Sequence, residues 1–413
     1  MNRVVITGIG AMAPGSIGKT TFWKNISEGN VYTGPLSMHS CDDLRIKIAG
    51  EIKNFKENEY LNDRNGLVFK DLDMTDKYAL KTIDMALRDS NVNLNEINSK
   101  IAVSLGTTMG KISKEVDRKI DYKIYEKLIE LNKNADNELL QKMCPGDTMG
   151  TICQYFNLKN VELRMFLNAC AASNYSIGWG YDRVRTGCAQ MAIVGGVDSF
   201  SLTALIGFNR LLSLTPNLCR PFDKNRKGLI VSEGCGILIL EDLNSALKRG
   251  ANIYGEIKGY GLSVDAYHIT APRPDASGAI SCIKKALKNA HLEPTDIDYI
   301  SAHGTGTKLN DKIESKALCS VFNSKIPPIS SIKSMIGHCL GAAAAIEAIA
   351  GVLMIQHNIA VPTANFEEAD EECPVDCIPN RSRQMEINNI ISNSFAFGGN
   401  NSSLVISRYK EGE

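Results

Sequence analysis

The chain has 413 residues, 44% of them apolar, and its 46 Lys and Arg balance 46 Asp and Glu. A formal net charge of zero offers no global attraction to nucleic acid or to an anionic membrane surface. The length exceeds what one simple core fills, so two packed units are expected.

The N-terminus, RVVITGIGAMAPG, has one short apolar run. It reads as a strand and turn, not as a signal peptide. Gly8-Ile-Gly10-Ala-Met-Ala13 matches a dinucleotide-binding pattern, but Pro14-Gly15 breaks the helix that pattern requires, and Glu28 lies in a polar loop. Gly18-Lys19-Thr20 resembles a phosphate loop. Ala13 stands where the loop's first glycine belongs, so a helix start is the better reading.

From Ala86, ALRDSNVNLNEINSKIAVSLGTTMG runs from a helix end through a polar turn into a strand and a Gly-Thr loop. Residues 111–145 are rich in Lys and Glu with a helical period, and read as an inserted, largely solvated helix. FLNACAASNYSIG, residues 166–178, is a strand running into a helix of small residues, with Cys170 at the joint.

The pattern then repeats. ALKNAHLEPTDIDYISAHGTGT, from Ala286, retraces the segment from Ala86. RVVITGIG resembles IYGEIKGYG, FLNACAASNYSIGWGYDRV resembles PPISSIKSMIGHCLGAAAAIEAI, and MAIVGGVDSF resembles IISNSFAFGG. Two similar α/β halves are expected, 1–251 and 252–413, each with mixed, mostly parallel strands layered with helices. The apolar run LGAAAAIEAIAGVLMI contains Glu347 and falls short of the roughly 20 residues a spanning helix needs, so it reads as a buried helix. Twelve cysteines occur without CxxC pairs or zinc-type histidine spacing; free thiols in the cytoplasm, and no metal, are expected.

Ligands gather at the carboxyl ends of strands in open α/β sheets. There the first half carries Cys170, and the second carries Lys333, His338 and, in its Gly-Thr loop, His303. Each has an ordinary alternative: a core thiol, a packed helix-start histidine, a turn histidine. Position favours chemistry for Cys170, because a helix N-terminus presents free N–H groups and lowers a thiol's pKa. NSFAFGGNNSSL, residues 393–404, is either a plain turn or a glycine loop whose N–H groups bind an oxyanion together with that of Cys170.

VVITGIGAMAPG, NACAASNYSIG, CRPFDKNRKGLIVSEGCGILILE, SVDAYHIT, SAHGTGTKLNDKIE, IKSMIGHCLGAAAAIE and NSFAFGGNN, in this order over essentially the whole chain, resemble the elongating β-ketoacyl-acyl carrier protein synthases of the thiolase superfamily. The resemblance implies a duplicated αβαβα fold and an acyltransferase that condenses an acyl thioester with malonyl-acyl carrier protein. It implies Cys170 as nucleophile, His303 and His338 as the paired imidazoles, and Lys333 and Glu347 as their polar support. It further implies an oxyanion hole from the N–H groups of Cys170 and Phe397, and substrate contacts at Thr305, Thr307, Met109 and Phe395. No metal or organic cofactor is implied, since the phosphopantetheine arrives on the carrier protein. Arg210, Lys111, Lys114, Arg118 and Lys119 are candidates for docking that partner. A homodimer, or a heterodimer with a chain-length-factor-like subunit, is implied as well. Asn400, where the family often has Thr, and Ala171-Ala172-Ser173-Asn174 depart from the common pattern and favour a polyketide role over housekeeping fatty acid synthesis. A silent chain-length partner and a Cys-His acyl hydrolase are the alternatives.

Overall fold

The computed structural model describes residues 1–37, 44–53, 55–56, 62–94, 97, 99–111, 146–323 and 325–412. Apart from Lys111, the expected helical insert lies outside the described residues.

One sheet runs through the molecule. Its strands lie in the order Ile329–Ser330, Tyr299–Ser301, Asn389–Phe395, Asn400–Ser407, Gly255–Val264, Val4–Ala13, Gly234–Asp242, Met191–Asp198, Ile101–Gly106 and Val161–Phe166. The order is a repeat: each half contributes five of these ten strands, the short Ser16–Ile17 adds to Val4–Ala13 off this path, and the halves join where Val4–Ile6 pairs antiparallel with Gly255–Ile257. In each half the outer three strands are parallel and the inner two antiparallel. The connections explain this mixture. A helix, Ala172–Arg185, carries the chain from Phe166 back to Met191, as a parallel crossover requires. Only a tight turn separates Phe395 from Asn400, so those strands must run antiparallel.

Alternation along the strands builds three cores. In Gly234–Asp242, Ile237 and Ile239 join an outer core with the helix Met74–Ser90, while Leu238 and Leu240 face a central core. In the second half, Ile390, Leu404 and Ile406 face the same central core, while Ile391 and Val405 face the helices Ser277–Ala290 and Lys308–Phe322. The layers are therefore helix, sheet, helix, sheet, helix.

The central layer consists of Ala172–Arg185 and Ala343–His357, pressed by both half-sheets. Every residue from Ala343 to Ile355 is buried, which explains why this helix is apolar all round. Among the described residues, Leu340–His357 is the one helical stretch long and apolar enough to cross a membrane, and it fills the core instead.

The decoy motifs resolve as packing. Gly8 and Gly10 lie inside the strand Val4–Ala13, where any side chain would overlap the Ala86 and Thr82 carbonyls of the helix crossing it. Lys19 and Thr20 begin the helix Lys19–Ser27.

Gly106 sets how closely the central layer approaches: a Cβ there would overlap the backbone at Ala172 and Ser173, beside the Cys170 turn. Gly106→Val is expected to cost about 3 kcal/mol or more. Urea unfolding checks this, and an unchanged midpoint would refute the close-packing account.

Candidate active site

Cys170 sits in a 3-10 turn, Ala169–Ala171, between the strand Val161–Phe166 and the helix Ala172–Arg185. Ala169 adopts a left-handed φ of 48°, which an alanine tolerates only under constraint. The second half repeats this turn as Leu340–Ala342, with Leu340 at φ 49°. Turn against turn, Cys170 corresponds to Gly341, and His338 lies just before its turn.

Cys170 is 6% exposed, and its Sγ lies 3.0 Å from His338 Nε2. The expected lowering of the thiol pKa is overturned. Burial pushes it up to about 12; the Lys333 cation opposes this and the Asp198 carboxylate adds to it. The resting state is thus a thiol hydrogen-bonded to imidazole, and the thiolate forms only as a proton leaves.

His303 follows the strand Tyr299–Ser301. Glu314 holds its loop by accepting from the N–H groups of His303 and Gly304, each at 2.8 Å. Asp311 accepts from Thr305 N–H at 3.0 Å. Asp311 lies in the first turn of the helix Lys308–Phe322, where the positive end suits a carboxylate, and Glu314 lies in the second. Arg226, 2% exposed, pairs with Asp370 and donates to the carbonyls of Thr307 and Lys308. The sequence reading assigned none of these three. The three-residue spacing of Asp311 and Glu314, after a Gly-Thr loop, was the available signal.

Lys333 and Glu347 form an ion pair in the interior, 1% and 2% exposed. Lys333 Nζ also donates to the His303 carbonyl at 2.7 Å and lies 3.4 Å from its Nδ1. An ammonium only donates, so Nδ1 accepts and Nε2 carries the proton. The two imidazole rings stand edge to face, 5.5 Å between centroids. Burial and the Lys333 cation push both histidines well below 6.5, so both are neutral. Burial raises Glu347 to about 7, against the pull of Lys333.

A cavity of about 290 Å³ opens onto Cys170, His303 and His338, and is lined also by Thr305, Thr307, Phe395 and Phe397. The hydroxyls of Thr305 and Thr307 are 2.9 Å apart, and the Phe395 ring lies 6.1 Å from His303. Phe397 packs on Phe208 at 5.6 Å between ring centroids. On either side of it, Ala396 N–H donates to Asn400 O and Gly398 N–H to Ile269 O. Asp265, from SVDAYHIT, donates its N–H to Gly399 O and accepts from Asn401. Met109 does not line this cavity; it packs against the buried cluster that includes Phe200, Leu205 and Leu340.

Of the docking candidates, Arg210 is exposed at the end of the helix Leu202–Arg210, beside the cavity-lining Phe208 and Leu211. Lys111 is a correction: it is 7% exposed, 2.6 Å from Asp76 and paired also with Asp147, so its charge is spent inside the protein. Lys114, Arg118 and Lys119 lie outside the described residues. A hydrolase-type triad needs a carboxylate or amide orienting the histidine. Among the described residues His338 Nδ1 has no partner, and Nδ1 of His303 faces Lys333. Also among the described residues, no group of three or more His, Cys, Asp and Glu is placed to hold a metal.

Two outcomes are expected. Lys333→Ala strands Glu347 in the core and should cost about 3–5 kcal/mol, with Lys333→Ala/Glu347→Ala costing less than the sum of the singles; strictly additive losses in chemical unfolding would contradict the pair. The depressed histidines bind protons more readily once unfolded. Their contribution to stability is therefore complete above about pH 6.5 and drains as pH falls below it. NMR of labelled imidazoles should show both rings still neutral at about pH 6, and protonation there would overturn this assignment.

Comparison with known proteins identifies the family. Residues 1–246 match the family model of the β-ketoacyl synthase N-terminal domain, and residues 254–367 that of the C-terminal domain. The 3-oxoacyl-[acyl-carrier-protein] synthase 2 of Synechocystis sp. is 36% identical, covering 99% of this chain and 98% of its own length. Its Staphylococcus aureus counterpart is 34% identical, covering 99% of both. Among solved structures, a chain of the ishigamide ketosynthase/chain length factor superposes with a TM-score of 0.90 at 36% identity, over 99% of this chain and 100% of that one. The chain matched in a type II polyketide ketosynthase complex with its acyl-carrier protein gives 0.85 at 28%, over the same shares. A thiol and two neutral imidazoles, gathered from two like halves, thus stand in a chain that belongs to the β-ketoacyl synthase family.

Proposed function

We propose that this chain is a 3-oxoacyl-[acyl carrier protein] synthase, an acyltransferase of type II polyketide or fatty acid synthesis. The observation that carries the reading is the Cys170 sulfur 3.0 Å from His338 Nε2, with neutral His303 alongside in one cavity.

The sulfur attacks an acyl thioester on the carrier protein as its proton leaves by way of His338. The carrier thiol departs protonated, and the acyl group remains on Cys170. The N–H groups of Cys170 and Phe397 hold the tetrahedral oxygen. A malonyl thioester then enters. Its carboxylate leaves as carbon dioxide, and the electron pair of that C–C bond becomes an enolate. His303 Nε2–H and His338, which carries its proton on Nε2 once the thiol is acylated and no longer donates to it, donate to the enolate oxygen, which two neutral imidazoles do without charge repulsion between them. The carbanion attacks the Cys170 thioester, the C–S bond breaks with its electron pair on sulfur, the Cys170 thiolate regains a proton by way of His338 from solvent, and a 3-oxoacyl chain leaves on the carrier. Thr305 and Thr307 meet the phosphopantetheine arm, Phe395 flanks the reacting centre, and Met109 bounds the acyl chain beyond the cavity. No step draws on a metal or organic cofactor.

The site draws residues from 1–251 and 252–413, which we take as its two structural halves. The partners are an acyl carrier protein, met at Arg210, and a second subunit, either a copy of this chain or a chain-length factor. The structural relatives support both partners: one is a ketosynthase with its acyl-carrier protein, another a ketosynthase/chain length factor. A silent chain-length partner has no use for a buried thiol beside two imidazoles. The ten described cysteines are all free thiols, which supports a cytoplasmic location.

Cys170→Ala is expected to abolish acyl-enzyme formation, read by intact mass, and with it condensation; a variant that still condenses would refute the assignment. Arg210→Glu should raise KM for carrier-borne substrate about tenfold and leave a small soluble thioester unaffected. Equal kinetics with both substrates would remove Arg210 from the docking surface.

A further inference from the structure

The twofold repeat places a second copy of the active-site turn at Leu340–Ala342, with Gly341 where Cys170 stands. This copy is sealed. Asp198, fully buried at the end of the strand Met191–Asp198, reaches into it. Its Oδ2 accepts from Gly341 N–H at 2.6 Å and from Thr108 N–H at 2.9 Å. Its Oδ1 accepts from the Thr107 hydroxyl at 2.6 Å and from Met109 N–H at 3.1 Å. A carboxylate facing three N–H groups and a hydroxyl is held as an anion holds in an oxyanion hole. The same N–H that serves the working site at Cys170 serves Asp198 at Gly341.

The clamp has a consequence for chemistry. Gly341 is three residues beyond His338, and Met109 belongs to the loop on the other side of the carboxylate. The backbone of His338 is anchored upstream, its N–H on Ile230 O and its O on Ser232 N–H. Its ring has no Nδ1 partner among the described residues, so its aim depends on where the turn lies. Cys170 is seated by its own 3-10 turn, capped where Ala171 N–H meets Asn168 O.

We propose that Asp198 is a positioning residue for the condensation step: its carboxylate fills the sealed copy of the oxyanion cradle and locks the turn after His338 against the loop that carries Met109. This rests on the synthase reading above.

The test separates the two half-reactions of the full-length chain, using a bacterial acyl carrier protein loaded with hexanoyl or malonyl groups. Intact mass reads hexanoylation of Cys170, and carbon dioxide release reads malonyl decarboxylation. In Asp198→Asn, an amide N–H must face N–H donors. Decarboxylation is expected to fall roughly 10- to 100-fold, and hexanoylation, in which His338 serves only to take the thiol proton, by a clearly smaller factor. Thr107→Val, which keeps the carboxylate and removes one donor, should show the same ordering at smaller size, and carries the test if Asp198→Asn does not fold. An equal fall in both half-reactions, or no fall in either, overturns the positioning role and leaves the synthase reading intact. A wild-type chain that takes no hexanoyl group on Cys170 overturns both.

Discussion

A single buried ion pair, Lys333 with Glu347, sets the electrostatics of the whole site. Its ammonium donates to His303 through both the carbonyl and the ring, which decides the tautomer. Its charge helps to keep both imidazoles neutral and pulls the Cys170 pKa down against burial. Glu347 makes this cation tolerable in the core, and it does so from the second turn of the helix that packs both half-sheets together. The catalytic electrostatics and the central packing therefore share one helix.

Duplication explains how the site is assembled. Neither half holds the whole site. The strand-to-helix turn of the first half supplies sulfur, and the loops of the second supply His303, His338 and the Phe397 loop. The twofold repeat makes two such meeting places. One is open to the cavity; the other is filled by Asp198.

Much of this was readable before any coordinates. The repeated segments correspond to equivalent strands of the two half-sheets, and Cys170, His303 and His338 do meet. What failed to show was of one kind. Lys111 looked like a surface charge because a lysine in a Lys-rich run is usually solvated; here Asp76 and Asp147 enclose it. The thiol pKa was read from its helix end, but desolvation is the larger effect once the turn is buried. Glu314, Asp311 and Arg226 were missed because each acts on backbone groups that only the folded loop brings within reach.

The sequence by itself determined the halves, the alternation that builds three cores, and the residues able to do chemistry. These are local or periodic properties, written in spacing and residue type. Only the tertiary structure decided which groups lose their water, which charges find partners, and which copy of the repeated turn stays open. Those are properties of pairs distant in the chain, such as Cys170 with His338 and Asp198 with Gly341. Burial acts on ionisation only after such pairs have met.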